Sequence, residues 1–196
     1  MRHLKLLFAA AAFAAVPLSA QALTVVNTSA PQVNCVYNTS CVVTVTDSVG
    51  NFTPPGDSGI GRLQSRTYDG VAPAPAAGKK AYVYRVDMTS VAGVTASTCV
   101  TKVALLFGPV TPEPYPPGAT LKDVYVVTTG GLGSVGVASA DQTGGMITFT
   151  FGGSGVCPGQ TSYFFGLTST VTTPVTGMAR LFFSDGSSTM KPARIP

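Results

Sequence analysis

The chain has 196 residues, with 12 Lys and Arg against 8 Asp and Glu, and its only histidine is His3. Lys79 and Lys80 are the only adjacent basic pair, so the net charge of +4 does not form the cationic cluster that nucleic-acid binding requires. With one terminal histidine and Glu113 as the single glutamate, the chain lacks the usual general bases of hydrolases. We therefore expect neither a nucleic-acid-binding protein nor an enzyme.

Residues 1–22 have the pattern of a secretory signal peptide. Two basic residues precede an apolar stretch, which ends in the small-x-small cleavage site Ala20-Gln21-Ala22. We expect a mature chain that begins at Leu23, or at Gln21 if cleavage follows Ala20. No later apolar stretch is long enough to span a bilayer. The sequence thus predicts a secreted or periplasmic protein with one domain, residues 23–196, and no membrane span after cleavage.

Alternation of apolar and polar residues indicates short β-strands along the whole chain. It is clearest at residues 43–46, 82–88 and 147–151. Further segments rich in β-branched and aromatic residues lie at 23–27, 63–68, 99–107, 123–129, 162–167 and 176–184. The Asp185-Gly186 pair predicts a two-residue hairpin turn with positive φ at both positions. No segment keeps a helical period, so we expect an all-β fold, a two-sheet antiparallel β-sandwich of about nine strands, with a closed β-barrel as the alternative.

Four cysteines, Cys35, Cys41, Cys99 and Cys157, remain after cleavage. An even number in an exported chain indicates disulfides, because an oxidising compartment does not keep thiolates free for zinc and the chain has no C-x-x-C pair. Of the three pairings that four cysteines allow, we favour Cys35–Cys41 with Cys99–Cys157.

Two short motifs match known functional sequences, but the neighbouring residues that such sites require are missing. Gly131-Leu132-Gly133-Ser134-Val135-Gly136 has the spacing of a dinucleotide-binding turn, but residues 137–145 are too short and glycine-terminated for the required helix. Asp57-Ser58-Gly59 matches the aspartic-protease triplet, but it occurs once and follows two prolines and a glycine. We interpret both as turns and expect no catalytic residue, no cofactor and no bound metal.

Candidate ligand contacts lie on the strand around Tyr82 and Tyr84. Arg85 and Asp87 are two residues apart on the face that should point to solvent, and the two tyrosines lie on the other face. A surface ion pair is the first interpretation of Arg85 and Asp87, and a polar ligand contact is the second. Solvent-facing tyrosines elsewhere would serve a carbohydrate or another small ligand, and the candidates are Tyr68, Tyr115 and Tyr125.

Three stretches, Tyr82-Val83-Tyr84-Arg85-Val86-Asp87, residues 124–136 and Tyr163-Phe164-Phe165-Gly166-Leu167, resemble exported bacterial β-rich proteins of unassigned function. The resemblance implies a secreted β domain and no activity. Our first hypothesis is a non-enzymatic exported structural or adhesive protein of the cell envelope or extracellular matrix, which associates with itself or with envelope components. A module that binds a small ligand or a carbohydrate is the second hypothesis, and a hydrolase without histidine is the third.

Overall fold

The structure is a computed structural model that describes residues 19–93 and 98–196. Most of the expected signal peptide, residues 1–18, lies outside the described residues. Strands account for 55% and helix for 5% of the structure, which confirms the expected all-β class. No helix in the described ranges has both the length and the apolar character needed to cross a membrane.

Sixteen strands and one helix form the regular structure of the described residues. In chain order they are β1 (Gln21–Leu23), β2 (Val25–Ser29), α1 (Ala30–Tyr37), β3 (Thr46–Phe52), β4 (Asp57–Gly59), β5 (Gly61–Asp69), β6 (Lys80–Asp87), β7 (Val91–Gly93), β8 (Val100–Leu106), β9 (Glu113–Pro114), β10 (Leu121–Lys122), β11 (Val124–Thr129), β12 (Val137–Thr143), β13 (Met146–Phe151), β14 (Phe164–Ser169), β15 (Val175–Phe183) and β16 (Ser188–Ile195).

Twelve of these strands form two six-stranded sheets. The first sheet has the order β1-β12-β13-β8-β15-β16 and is antiparallel throughout, and the second has the order β2-β11-β14-β6-β5-β3. In the second sheet only β2 runs parallel to its neighbour. Each sheet is open at its edges, so the sandwich prediction is confirmed and the closed alternative is wrong.

The main hydrophobic core lies between the two sheets, where period-two alternation turns every second side chain inward. Phe165 is at its centre, with ring centroids 4.8 Å from Phe149, 5.6 Å from Phe151 and 6.0 Å from Tyr84. At one side of the sandwich, β3 of the second sheet approaches β16 of the first so closely that a Cβ on Gly50 would lie 2.8 Å from the carbonyl oxygen of Pro192. This approach and Pro192, which cannot donate a backbone hydrogen bond, protect both edges from further strand pairing.

A second, smaller core lies on the outer face of the second sheet. Helix α1 and the two proline-rich stretches, residues 71–77 and 109–118, cover part of this face and bury Val36, Tyr37, Tyr68, Tyr115 and Tyr125. The backbone N–H groups of Val71 and Ala76 donate to the carbonyl oxygens of Tyr37 and Val36, which attaches the first proline-rich stretch to the helix. The sandwich therefore has a partial third layer.

Helix α1 is absent from the sequence-based prediction because its eight residues make only about two turns, too few to show a period. Its start carries a recognisable signal. The Ser29 side chain accepts from the backbone of Gln32, and the Gln32 side chain accepts from the backbone of Ser29, which is a capping box.

Other local predictions differ from the structure. The strand expected at 43–46 begins only at Thr46, because the preceding residues pack beside α1. The β15–β16 hairpin forms as expected, but only Gly186 has positive φ, and the N–H of Gly186 donates to Phe183, so the turn has three residues with the glycine at its end. Strand β12 was not predicted, because its sequence has only two β-branched residues, Val137 and Thr143.

Both favoured disulfides are present. Cys35 is bonded to Cys41, and Cys99 is bonded to Cys157, across sequence separations of 6 and 58 residues. The first disulfide joins the end of α1 to the segment that leads to β3. The second joins the start of β8 to the loop after β13.

Candidate functional site

An open groove of about 380 Å³ lies on the outer face of the second sheet, beside α1. Its floor is formed by neighbouring strands, with Val127 on β11 directly opposite Phe164 on β14 and with Val83 on β6. The remaining lining residues come from α1, the segment after it, β5, β11 and the loop after β11: Ala30, Val33, Asn34, Val43, Val45, Arg66, Tyr68, Tyr125, Gly130, Gly131 and Leu132. Most of these side chains are apolar, and Arg66 carries the only formal charge among them.

The glycine-rich sequence after β11 forms one rim of the groove. No helix follows it, as expected, since the chain continues directly into β12. Gly131 is packed against Val127, and the Leu132 side chain is 65% exposed beside the cavity. The loop therefore presents an apolar side chain at the rim, and no phosphate-binding turn is formed.

Two hydrogen-bonded groups of tyrosines lie under this face. Tyr68 and Tyr125 place their hydroxyl oxygens 2.8 Å apart at the end of the groove. Tyr115 is hydrogen-bonded to Tyr37 at 3.0 Å and to Thr168 at 2.7 Å, and Tyr37 also contacts Thr168. The prediction that Tyr68, Tyr115 and Tyr125 face solvent is wrong, because α1 and the proline-rich stretches cover them.

These tyrosines are neutral at physiological pH. Burial raises the pKa of Tyr37, Tyr68, Tyr115 and Tyr125 above the usual value of 10.0, and it outweighs the hydrogen bonds that lower the pKa of Tyr68 and Tyr115. A phenol with a raised pKa is a poor general base. Their hydroxyl groups therefore serve as hydrogen-bonding partners within the fold.

Arg66 and Arg85 both lie against the ring of Phe164. Their guanidinium carbons are 4.0 Å and 4.8 Å from the ring centroid. Nε of Arg66 donates to Oδ1 of Asp47 at 3.0 Å. Nη2 of Arg85 lies 3.6 Å from Oδ2 of Asp87, beyond normal hydrogen-bond length. Phe164 thus carries two guanidinium groups at the edge of the apolar groove.

The predicted surface pair Arg85–Asp87 is less exposed than expected, since each side chain retains only 15% of its accessible surface. Burial lowers the pKa of Arg85 from its usual value, although Asp87 acts in the opposite direction. Burial acts to raise the pKa of Asp87, but hydrogen bonds from Thr89 and the charges of Arg85 and Arg62 together lower it. Both groups are therefore charged at neutral pH.

A second depression, of about 300 Å³, adjoins these arginines on the side away from α1 and is lined by Val49, Arg62, Gln64, Arg85 and Asp87. The Nε atom of Arg85 is buried without a hydrogen-bond partner among residues 19–93 and 98–196. A buried donor without an acceptor is unfavourable, and almost none of the surface of this atom is exposed to a ligand.

The four ligand contacts predicted from the sequence do not lie together, because they occupy opposite faces of β6. Tyr82 and Tyr84 point into the core between the sheets, and their hydroxyl groups donate to the carbonyl oxygens of Val171 and Arg194. Arg85 and Asp87 lie on the outer face, as the strand alternation indicated. No local pattern in the sequence indicates Arg66 or Phe164 as partners of Arg85, because these two residues come from two other strands.

Outside the groove, the acidic groups are dispersed. No cluster of three or more His, Cys, Asp or Glu that could hold a metal ion occurs in the described parts of the chain. The Glu113 side chain is only 2% exposed and accepts from Nζ of Lys79 at 2.5 Å. Asp57 lies in β4, where its carboxylate accepts from the backbone N–H of Thr98 at 3.2 Å. The turn predicted at Asp57-Ser58-Gly59 is wrong, because the triplet pairs with β7 as a short strand.

No protein-family model matches the chain, and no curated protein and no solved structure matches it either. The function therefore has to be inferred from the residues of the groove and their chemistry.

Proposed function

We propose that the protein is an exported, non-enzymatic binding module that takes a small, largely apolar ligand in the groove beside α1. The observation that carries this proposal is the groove itself, a cavity of about 380 Å³ lined mainly by Val, Leu and Phe with a single arginine. Small-molecule sites are concave and mostly apolar, with volumes of roughly 300–1,000 Å³ and a few polar groups that orient the ligand.

The lining favours an apolar ligand over a carbohydrate. Sugars stack on exposed aromatic rings, whereas the Phe164 ring is covered by guanidinium groups and the tyrosines are buried by α1 and the proline-rich stretches. Val83, Val127 and Leu132 offer contacts to hydrocarbon. No acidic side chain lines the groove itself, and the nearest described carboxylate, Asp47, is paired with Arg66, which supports a binding role without catalysis.

An extracytoplasmic location, secreted or periplasmic, is part of the proposal. The two disulfides use all four cysteines and indicate an oxidising environment. Gln21 and Ala22 pair with Gln142 and Asp141 in the first sheet, which favours signal cleavage after Ala20 over cleavage after Ala22. Mass spectrometry of the exported protein should then find Gln21 at the N-terminus, and an intact Met1 end in a cytoplasmic pool would contradict export.

Titration with N-phenyl-1-naphthylamine, a neutral aromatic probe that fluoresces in apolar surroundings, tests the groove. We expect saturable binding by the wild type and at least about tenfold weaker binding by Leu132→Asp, since a charge at the rim penalises apolar contact. Leu106→Asp is the matched control, because Leu106 is similarly exposed, at 57% against 65%, but lies on the first sheet. Absence of saturable binding, or equal loss in both variants, would overturn the proposal.

A structural or adhesive role through self-association is the second candidate. An exposed row on the outer face of the first sheet contains Met146 directly opposite Leu106, with Met178 on the next strand. The adjacent row runs from Asp141 through Thr148 and Ala104 to Arg180. A second copy turned about a two-fold axis along the strands would place its Arg180 against Asp141 and its apolar row against the first.

Sedimentation of the purified protein tests this second candidate. We expect a dimer that Leu106→Asp dissociates and that Leu132→Asp leaves intact, so each variant serves as the control for the other. A monomeric wild type at every concentration would exclude self-association through this face and would leave the groove proposal unaffected.

A further inference from the structure

We propose that the ligand of the groove is an amphiphilic carboxylate whose head group is bound by Arg66 and Arg85 at the ring of Phe164, while its hydrocarbon part lies along the valine-lined floor. This inference rests on the proposed function of the groove and names its ligand class. Three observations support it: the position of the two arginines, the unused N–H donors of Arg66, and the continuity between the charged and the apolar surfaces.

The two arginines lie close enough together to favour the binding of an anion. Two guanidinium carbons lie 4.0 Å and 4.8 Å from one ring centroid, so two like charges share one aromatic surface. Among the described residues, Arg66 forms an ion pair with Asp47 and Arg85 with Asp87, and the charge of Asp47 also acts on Arg85. With Arg62 in the adjoining depression, this face has three arginines against two aspartates, a net charge of 3 − 2 = +1. An anionic head group would neutralise that excess.

Arg66, which lines the groove, has unused N–H donors. A guanidinium has five N–H donors, and in the described residues Arg66 uses only its Nε, to Asp47. Its two Nη groups are therefore free to donate in parallel to the two oxygens of a carboxylate. The guanidinium of Arg85 adds a second positive charge at the same Phe164 ring.

The apolar surface continues directly from this point. Arg66 and Phe164 line the groove themselves, and Val127 is opposite Phe164 in the sheet, so a bound head group and a bound chain would be contiguous. The chain would then run between α1 and the loop that carries Leu132. A neutral hydrocarbon would use only half of this arrangement and would leave the arginine donors unsatisfied.

Displacement of N-phenyl-1-naphthylamine by decanoate and by 1-decanol tests the head group, because the two competitors share a ten-carbon chain and differ in charge. For the wild type we expect decanoate to displace the probe at about tenfold lower concentration than decanol. Arg66→Gln should remove this preference, because it should weaken the binding of decanoate far more than that of decanol or of the probe. Arg180→Gln is the matched control, since Arg180 also lies over a phenylalanine, Phe182, but on the first sheet.

Asp47→Asn provides a change in the opposite direction. It removes the carboxylate that competes for Arg66, and Asp47 is 43% exposed, so the fold should tolerate the substitution. We expect decanoate to bind several-fold more tightly to this variant, with no change for decanol. Decanoate should also lose its advantage at high ionic strength, because the contact is electrostatic and partly exposed.

The outcomes separate the two proposals. If the probe binds but decanoate and decanol compete equally in the wild type, or if Arg66→Gln and Asp47→Asn leave their ratio unchanged, the carboxylate inference is wrong and the apolar groove stands. If the probe does not bind the wild type at all, the proposed function fails and the inference fails with it.

Discussion

Tyr125 lies directly across Gly166, its partner in the antiparallel pairing of β11 with β14. A Cβ at position 166 would be 2.6 Å from the hydroxyl oxygen of Tyr125 and 2.8 Å from the backbone carbonyl oxygen of Tyr82. Only glycine leaves room for the tyrosine ring, which reaches over the sheet to place its hydroxyl 2.8 Å from that of Tyr68. This contact forms the closed end of the groove.

Gly166→Ala should therefore destabilise the protein by about 2–3 kcal/mol, because the added methyl group overpacks a site bounded by backbone. Urea unfolding followed by circular dichroism measures the change. Gly152→Ala is the control, since a Cβ there meets nothing closer than 3.8 Å. Equal effects of the two substitutions would show that the packing of Tyr125 over Gly166 does not matter.

Removal of each disulfide should separate stability from binding. Replacing Cys99 and Cys157 by serine should cost about 4 kcal/mol, and replacing Cys35 and Cys41 about 2 kcal/mol, because the closed loops differ in length, 58 against 6 residues. Only the loss of Cys35–Cys41 releases the end of α1 beside the groove. We expect this loss to weaken probe binding more than the loss of Cys99–Cys157 does. The reverse order would contradict the assignment of the groove.

The pH dependence of stability should reveal the buried carboxyl of Glu113. Burial raises its pKa above the usual value of 4.5, although Lys79 opposes this effect. The folded state then binds the proton more tightly than the unfolded chain, so the contribution of this group to the free energy of unfolding is present below pH 4.5 and falls as the pH rises through the folded pKa. The difference in the free energy of unfolding between the wild type and Glu113→Gln, measured by urea unfolding at several pH values, should show this decrease.

Asp87 provides the control of opposite sign. Its pKa lies below the usual 3.8, so its contribution to stability is present above pH 3.8 and is lost as the pH falls below that value. The difference between wild type and Asp87→Asn should therefore change only at acid pH. Parallel profiles for wild type and Glu113→Gln would mean that the Glu113 carboxyl has no raised pKa.

The buried tyrosines should make the protein sensitive to alkali. Burial raises the pKa of Tyr37, Tyr68, Tyr84 and Tyr125 above 10.0, and that of Tyr82 to about 12. Their stabilising contribution is complete below pH 10.0 and is lost as the pH rises further. Phenolate absorbance and loss of circular dichroism should coincide on titration, whereas phenolate formation by these tyrosines in a folded protein would contradict the burial of their side chains in the two cores.

The sequence alone determined the all-β class, and it favoured the two-sheet sandwich and the disulfide pairing that the structure confirms. Period-two alternation, seen at Ile147, Phe149 and Phe151, is a local consequence of strand geometry, and the favoured cysteine pairs are the ones the fold brings together. The alternation also correctly separated Tyr82 and Tyr84 in the core from Arg85 and Asp87 on the outer face.

Only the tertiary structure decided where the candidate site lies. Arg66, Arg85 and Phe164 come from three different strands, and their contact depends on strand order and register, which no local pattern encodes. The burial of Tyr68, Tyr115 and Tyr125 likewise depends on α1 and the proline-rich stretches folding back over the sheet. A residue's own neighbours in sequence determine which face of a strand it occupies, but what covers that face is determined by distant parts of the chain.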